Sequence, residues 1–400
     1  MNRFFLRLFP KIHFNHFIAI DIGSNAAIRS LLFKESSTET IAVEKQNFEL
    51  PVRSSESELI PAISEYLHAL ITQYIRTIGH IPEGILVGLG NHFTFNEMKT
   101  ITKERERPEE PIHQREFQAI LNQFLEDHRV QVIRETRYAL AHLMPFRITV
   151  DGYPIETLGP KTRGRTIEVV LFGTYAEEKF WQALFDLRSM FGGLELRFIS
   201  NQAVIAAALV SALGITDALV IKIGAKITEI SLLGNGAIRF TSQFEKGGDD
   251  VTHAIAACLR TAPRDAERVK CQQETVALPR GGTTLLRDAE KTAALKWIQE
   301  LARLLKSEER FVLPEHVYIL GGGARLEAIR DALTSINWFD DLTFLAKLDI
   351  QMLNAEDIAG QLFRNTSQPL SGPEEVAIAA LARRMSRRSV IKEKKSHEVH

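Results

Sequence analysis

The same short plan is written twice in this chain, and any fold has to house both copies. Phe17 to Phe33, FIAIDIGSNAAIRSLLF, runs from an apolar strand into the turn Asp21-Ile22-Gly23-Ser24-Asn25 and returns to β-favouring residues at Ile28. Ala218 to Phe240, ALVIKIGAKITEISLLGNGAIRF, gives a strand, a glycine turn at Gly224, a strand, a hairpin at Gly234-Asn235-Gly236 and a further strand. Glycine allows a tight turn and close approach of the backbone to a ligand, and Asn-Gly between apolar runs is a strong hairpin signal. The repeat predicts two related lobes facing across a cleft. In the first copy Asp21 stands at a strand end, with Ser24 and Asn25 beside it as donors. Such a turn suits a phosphate or a metal-bound phosphate, and it equally suits an ordinary hairpin.

Two further glycine junctions follow the second copy. Gly247-Gly248 precedes a helix whose first residues include Asp249, Asp250 and Thr252. A glycine turn entering a helix N-terminus is a general anion site, although Asp249 or Asp250 would also serve as a plain helix cap. His316 to Leu333 then reads as strand, Gly321-Gly322-Gly323, helix.

Between these landmarks the apolar spacing predicts helices over Leu59–Ile78, Gln114–Leu125, Glu177–Phe191, Asn201–Leu213, Ala262–Lys270, Arg287–Glu309 and Pro373–Arg384. Strands are expected at Thr40–Phe48, Gly84–Leu89, Val130–Ile133, Ile148–Val150, Thr166–Phe172 and Leu194–Ile199. Thr100 to Pro111, TITKERERPEEP, is charged and carries two prolines, so it reads as a solvated loop. The stretch from Glu83 to about Arg165 reads as a small α/β insertion.

Length and composition narrow the function classes. Four hundred residues exceed one ordinary core. Lys plus Arg number 49 against 50 Asp plus Glu, a net charge of −1 that argues against a general nucleic-acid binder. The two cysteines, Cys258 and Cys271, form no C-x-x-C pair, which speaks against a disulfide framework or a structural zinc site and for a reducing compartment. No apolar run reaches the roughly 18 residues of a membrane span, and Arg7 and Pro10 interrupt the N-terminus too early for a secretory signal. If Asn2 to Phe9 is helical, Phe4, Phe5, Leu8 and Phe9 cluster on one side and Arg3 and Arg7 fall together, a pattern suited to an interfacial membrane helix. An extension packed on the body fits the same residues. The end of the chain, RRMSRRSVIKEKK from Arg383 to Lys395, is basic and reads as flexible beyond Met385.

In this order, the Asp-x-Gly-Ser turn, the strand–glycine–strand unit, Gly-Gly-Asp before a helix and strand–Gly-Gly-Gly–helix resemble the actin-like ATPase superfamily. The closer resemblance is to FtsA, the bacterial actin-like protein that tethers the division ring to the membrane. It rests on DIGSN, DGYPIETLGPKTRGRTIEV, GAIRFTSQFEKGGDDVTHAIAACLRTAPRDAERVK and YILGGGARLEAI, and covers roughly Phe17 to Arg384. PilM, a pilus assembly protein, is similar in architecture. The implied fold class is α/β: an actin-like two-lobe fold of duplicated ribonuclease H-like domains around a nucleotide cleft, with a small inserted α/β subdomain. The expected division is an N-terminal extension over 1–16, a first lobe from 17–82 and 166–203 with a return helix over 373–385, an insertion over 83–165, a second lobe over 204–372 and a basic tail over 386–400.

The resemblance also implies roles. Gly23, Ser24 and Asn25 would form a first phosphate loop, with Asp21 towards the metal side, and Gly224 would mark the second loop. Gly247, Gly248 and Asp249 would line the cleft near the phosphates, while Glu267 and Lys270 would lie by the ribose and base. Gly321, Gly322 and Gly323 would pass under the adenosine of ATP, with Arg325 nearby. No catalytic residue and no protein metal site is assigned.

The departures are specific. Lys222 replaces the acidic residue expected before the second loop, Ala225-Lys226-Ile227 replaces small permissive residues, and Ala26 stands where relatives carry a polar residue. An ammonium cannot hold Mg²⁺, so the expectation is weak or absent hydrolysis, with ATP as a cofactor only without firm magnesium. The tail lacks the aromatic residues that end the family's members, and the aromatic-plus-arginine pattern sits at Arg3 to Phe9 instead. The expected role is a scaffold at the inner face of the cell membrane that self-associates and meets a tubulin-like division protein. The alternative is a PilM-like part that binds a peptide of a pilus inner-membrane protein. A sugar-kinase-like enzyme would need Asp249 or Asp250 as base, and no sugar-recognition pattern accompanies them.

Overall fold

The structure is a computed structural model that describes residues 15–23, 27–36, 39–49, 56–90, 92–113, 115–123, 137–155, 162–192, 194–272, 282–307, 312–335, 338–339, 342–360, 362–363 and 368–386. Arg3, Phe4, Phe5, Arg7, Leu8 and Phe9, the loop residues Ser24, Asn25 and Ala26, the strand expected at Val130–Ile133 and the tail after Ser386 lie outside the described residues.

Two five-stranded sheets carry the duplication. The first is built from β1 (Asn15–Ile22), β2 (Ala27–Glu35), β3 (Thr40–Glu49), β4 (Gly84–Leu89) and β9 (Leu196–Ser200), in the order β3-β2-β1-β4-β9. The second takes β10 (Ala218–Ile223), β11 (Thr228–Gly234), β12 (Ala237–Phe244), β13 (His316–Leu320) and β14 (Asp349–Met352), in the order β12-β11-β10-β13-β14. Each begins with an antiparallel meander of three strands, and each adds two parallel strands beyond the first. Strand alternation sorts the side chains. Ile18, Ile20 and Ile22 of β1 face outward into a core with the helices Glu56–Ile78 and Glu178–Met190. Leu219, Ile221 and Ile223 of β10 make the equivalent core with the helices Gly282–Lys306 and Glu327–Ser335.

The opposite faces of both sheets share one core. Phe17 and Ala19 of β1, Ala218 and Val220 of β10, and the helices Asn201–Leu213, Ala355–Ala359 and Val376–Met385 all belong to it. The helix Asn201–Leu213 is Ala-rich and apolar all round, as a helix sandwiched between two sheets must be. Asp21 and Lys222 continue the inward rows Phe17-Ala19 and Ala218-Val220, so both strand ends aim at this shared layer.

A third, four-stranded sheet comprises β5 (Thr94–Glu104), β6 (Tyr138–Val150), β7 (Tyr153–Ile155) and β8 (Thr166–Glu177), in the order β5-β8-β6-β7. Ile167, Val169 and Leu171 of β8 cover the helical residues 115–123 through Ile120, while Phe172 joins the core shared by the two lobes.

Four features differ from the sequence expectation. The chain leaves the first sheet after Leu89, not at Glu83, because GILVGL is buried throughout and pairs in parallel with β1. Thr166–Glu177 lies in the third sheet, where it is flanked by β5 and β6, instead of returning directly to the first lobe. Thr100 to Glu104 is strand, not loop: β5 pairs with β8 up to Glu104↔Thr166, and its charged residues sit on a solvated edge. Arg105 beside it is buried, and its guanidinium donates to Glu116 and to the carbonyl oxygens of Glu110 and Gly164 at 2.7–3.1 Å. At the other end Ser386, expected in the tail, is fully buried and donates to Glu35.

Candidate functional site

The two glycine turns close alike. Gly23 N–H donates to Ala27 O at 2.8 Å, and Gly224 N–H donates to Ile227 O at 3.0 Å. The residues two places before them differ in sign. Asp21 lies opposite Arg29 on β2, and Lys222 lies opposite Glu229 on β11, so the cross-strand charge pair is inverted between the two copies. Asp21 is 2% exposed and accepts from Asn201 Nδ2 at 2.7 Å. Lys222 Nζ stands 3.2 Å from Glu229 Oε2, with the two side chains 14% and 3% exposed. Lys222, Glu229 and Gln202 line a cavity of about 10 Å³ between the helix Asn201–Leu213 and the second sheet. That volume is about the least that holds one water.

Close backbone packing consumes the second-lobe junctions. Gly248 N–H donates to Gly224 O at 2.9 Å and Asp249 N–H to Ala225 O at 2.8 Å, so the helix N-terminus is plugged by the turn carbonyls. Gly247 makes this possible, since a Cβ there would lie 2.4 Å from Gly224 O. Asp250 caps the same helix by accepting from Gly247 N–H at 2.8 Å. In the triple glycine, Gly321 (φ +88°) and Gly323 press on Ile223, where a Cβ would approach to 2.4 and 2.3 Å respectively, whereas a side chain at Gly322 would meet open space.

The charged candidates are held by one another. Lys270 Nζ donates to Glu267 at 2.6 Å, Thr252 Oγ1 at 2.8 Å and Gly248 O at 3.1 Å, which uses its three hydrogens. Burial would raise the Glu267 carboxyl, but bonds from Lys270 and Thr252 outweigh it and hold it below the ordinary carboxylate range. Asp249 is raised, chiefly by burial. Arg325 makes a two-pronged bond to Glu374 at 2.7 and 2.8 Å. Glu267, Lys270 and Asp249 thus share one cluster at the helix Gly248–Leu259, Arg325 lies beside the triple glycine, and Asp21 lies across the shared layer.

Comparison with known proteins fits this geometry. Residues 219–377 match the family model of cell division protein FtsA. The FtsA of Pseudomonas aeruginosa is 28% identical over 27% of this chain, and the matched part spans 30% of that protein's length, under a third of it. A chain of the PilM–PilN type IV pilus biogenesis complex superposes with a TM-score of 0.62 at 18% identity, covering 92% of this chain and 98% of that one. The ethanolamine utilization protein EutJ of Carboxydothermus hydrogenoformans reaches 0.46 at 15% identity, over 94% and 90%. The fold is actin-like. Within this actin-like frame the duplicated turns occupy the floor between the lobes.

The actin-like fold raises the question of a nucleotide with its metal, and the donor set answers it unevenly. On the first-lobe side Asp21 is a suitable carboxylate, and Ser200 Oγ and Asn201 Oδ1 are buried without a hydrogen-bond partner among the described residues. Across the floor the matching position is an ammonium already paired with a carboxylate. An ammonium repels a divalent cation, and the helix N–H groups that would meet a phosphate are bonded to Gly224 and Ala225. A magnesium-bound nucleotide does not fit the second-lobe half.

Several members of this floor escaped the sequence. Gly88 and Gly90, in LVGLG, make room for Asn201 and for Ile22 O, with hypothetical Cβ distances of 2.2 and 2.7 Å. Glycines inside an apolar strand pattern signal such close approach. Gln202 accepts from Asn96 Nδ2 at 2.7 Å and donates to Ile230 O at 3.2 Å, while Thr174 donates to Asn96 at 2.9 Å. This chain ties the third sheet to the second lobe, and no local pattern in the sequence announces it.

Proposed function

We propose that this protein is an actin-like scaffold of the FtsA type, which works at the inner face of the cytoplasmic membrane, self-associates and recruits a division protein. Its cleft serves the architecture, not nucleotide turnover. The observation that carries the reading is the Lys222–Glu229 pair on the cleft floor, inside the segment that matches the FtsA family model. A buried ion pair at that strand end is a structural tie, and a fold can be kept as a binding frame after its chemistry is lost. Nucleotide binding, if retained, rests on the Asp21 side and on Gly322, without firm magnesium.

Membrane contact in this reading comes from Arg3 to Phe9, assisted by the basic tail at about 1 kcal/mol per near-surface charge on anionic lipid. No helix among the described residues is long and apolar enough to cross a membrane, which leaves a surface mode of attachment as the reading's requirement. Flotation with anionic liposomes tests it. Full-length protein should float and a deletion of residues 1–14 should not, and equal flotation removes the N-terminal anchor.

A second reading has its own support. Likeness to a chain of the PilM–PilN complex extends along almost the whole molecule, which favours a pilus or secretion platform component that binds a cytoplasmic peptide of an inner-membrane partner. Co-purification separates the two. Retention of a tubulin-like filament protein supports the division scaffold, and retention of a short N-terminal peptide of a pilus membrane protein in its place replaces it.

A further inference from the structure

The segment 368–375 crosses from one lobe to the other and is bonded to both. On the first-lobe side, Lys45 of β3 uses its backbone N–H on Gln368 Oε1 at 2.6 Å, and its ammonium on Pro369 O and Glu375 at 3.0 Å each. On the second-lobe side, Gly321 N–H donates to Pro373 O at 2.9 Å, Ala355 N–H to Gly372 O at 3.0 Å and Gly372 N–H to Glu356 Oε2 at 3.1 Å. Arg325 grips Glu374 with two bonds.

The adjacent glutamates are the centre of this arrangement. Pro373–Glu375 is a turn of 3₁₀ helix, in which consecutive side chains point about a third of a turn apart. Glu374 therefore reaches Arg325 in the second lobe while Glu375 reaches Lys45 in the first. Gly372 (φ +82°) sets up the turn, and a Cβ on it would collide with Arg325 Nη2 at 2.3 Å, so the guanidinium lies against bare backbone. The Lys45–Glu375 bridge is well enclosed, with side chains 22% and 5% exposed. The Arg325–Glu374 bridge is the open half, at 58% and 25%.

We propose that Glu374 and Glu375 form a two-headed clasp that holds the two lobes in one fixed arrangement. The inference stands apart from the partner and the membrane, so it survives or fails independently of the scaffold reading.

The test is a distance measurement between spin labels on exposed helix positions, Glu65→Cys in the first lobe and Gln299→Cys in the second, with Cys258→Ser and Cys271→Ser as background. The wild-type clasp should give one narrow distribution that Mg-ATP leaves unchanged. Glu374→Gln with Glu375→Gln should at least double its width. Should that double variant misfold, Arg325→Gln breaks only the exposed bridge and should give an intermediate width, and Arg325→Glu combined with Glu374→Arg should restore the narrow distribution. A wild-type distribution that narrows or shifts with Mg-ATP overturns the clasp, as does an unchanged width in Arg325→Gln.

Discussion

Replacing Gly321 by alanine should cost far more than its mild chemistry suggests. Its backbone sits at φ +88°, ψ +167°, a region open essentially to glycine alone, and forcing a side chain there costs about 1–3 kcal/mol. The new Cβ would also lie 2.4 Å from Ile223 O and 3.0 Å from Ile223 C, atoms of a central strand that cannot step aside. Overpacking of this kind adds about 1–3 kcal/mol. The sum is about 2–6 kcal/mol. Two neighbouring tests isolate the causes. Gly214→Ala carries the positive φ (+69°) with nothing within 4 Å of its Cβ, and should lose about 1–2 kcal/mol. Gly322→Ala has neither penalty and should stay within about 0.5 kcal/mol of wild type. Urea unfolding followed by tryptophan fluorescence reads all three, since Trp297 is buried in the second-lobe core. If Gly321→Ala loses no more than Gly214→Ala, the close approach to Ile223 is wrong, and with it the account of this junction as packing.

Further outcomes follow from the charges. Lys222→Met should destabilise by about 1–3 kcal/mol by removing the ammonium beside the 3%-exposed Glu229, and adding Glu229→Gln should recover part of it in a double-mutant cycle. Burial, with the charge of Arg384, pushes His142 down to about 4 from an ordinary 6.5, and its Nδ1 is enclosed without a partner among the described residues. The folded state therefore keeps His142 neutral: its stability is complete above the unfolded value of 6.5 and falls as pH drops towards 4. His142→Gln should remove about 2–3 kcal/mol of the loss measured between about pH 7 and pH 4.5. Arg105→Lys should loosen residues 105–113, seen as faster amide exchange there, because an ammonium cannot reproduce the fork on Glu116 and reach the Gly164 carbonyl together.

The repeated strand–glycine–strand unit was legible because it is local: period-two apolar runs broken by a glycine are enough to draw both meanders. The inverted charge at Lys222 was visible for the same reason. Its partner was not, since Glu229 belongs to a different strand and only the antiparallel register brings it opposite. Thr100 to Glu104 misled because charge and proline describe an edge strand and a loop equally well, and pairing with β8 decides between them. Arg105 shows the same limit. Among the charged residues of KERERPEE, nothing in the sequence marks the one that goes inside. The glycine junctions suggest close backbone approach without saying to what, and at two of the three glycines at 321–323 Ile223 is one such neighbour.

The most direct test of the cleft is calorimetric titration of Mg-ATP into the wild type and into Lys222→Asp, with phosphate release followed in parallel. The ion-paired floor predicts no magnesium-dependent binding and no turnover in the wild type, and none in Lys222→Asp, where the helix N–H groups stay bonded to Gly224 and Ala225. Tight magnesium-dependent binding with hydrolysis by the wild type would contradict the account.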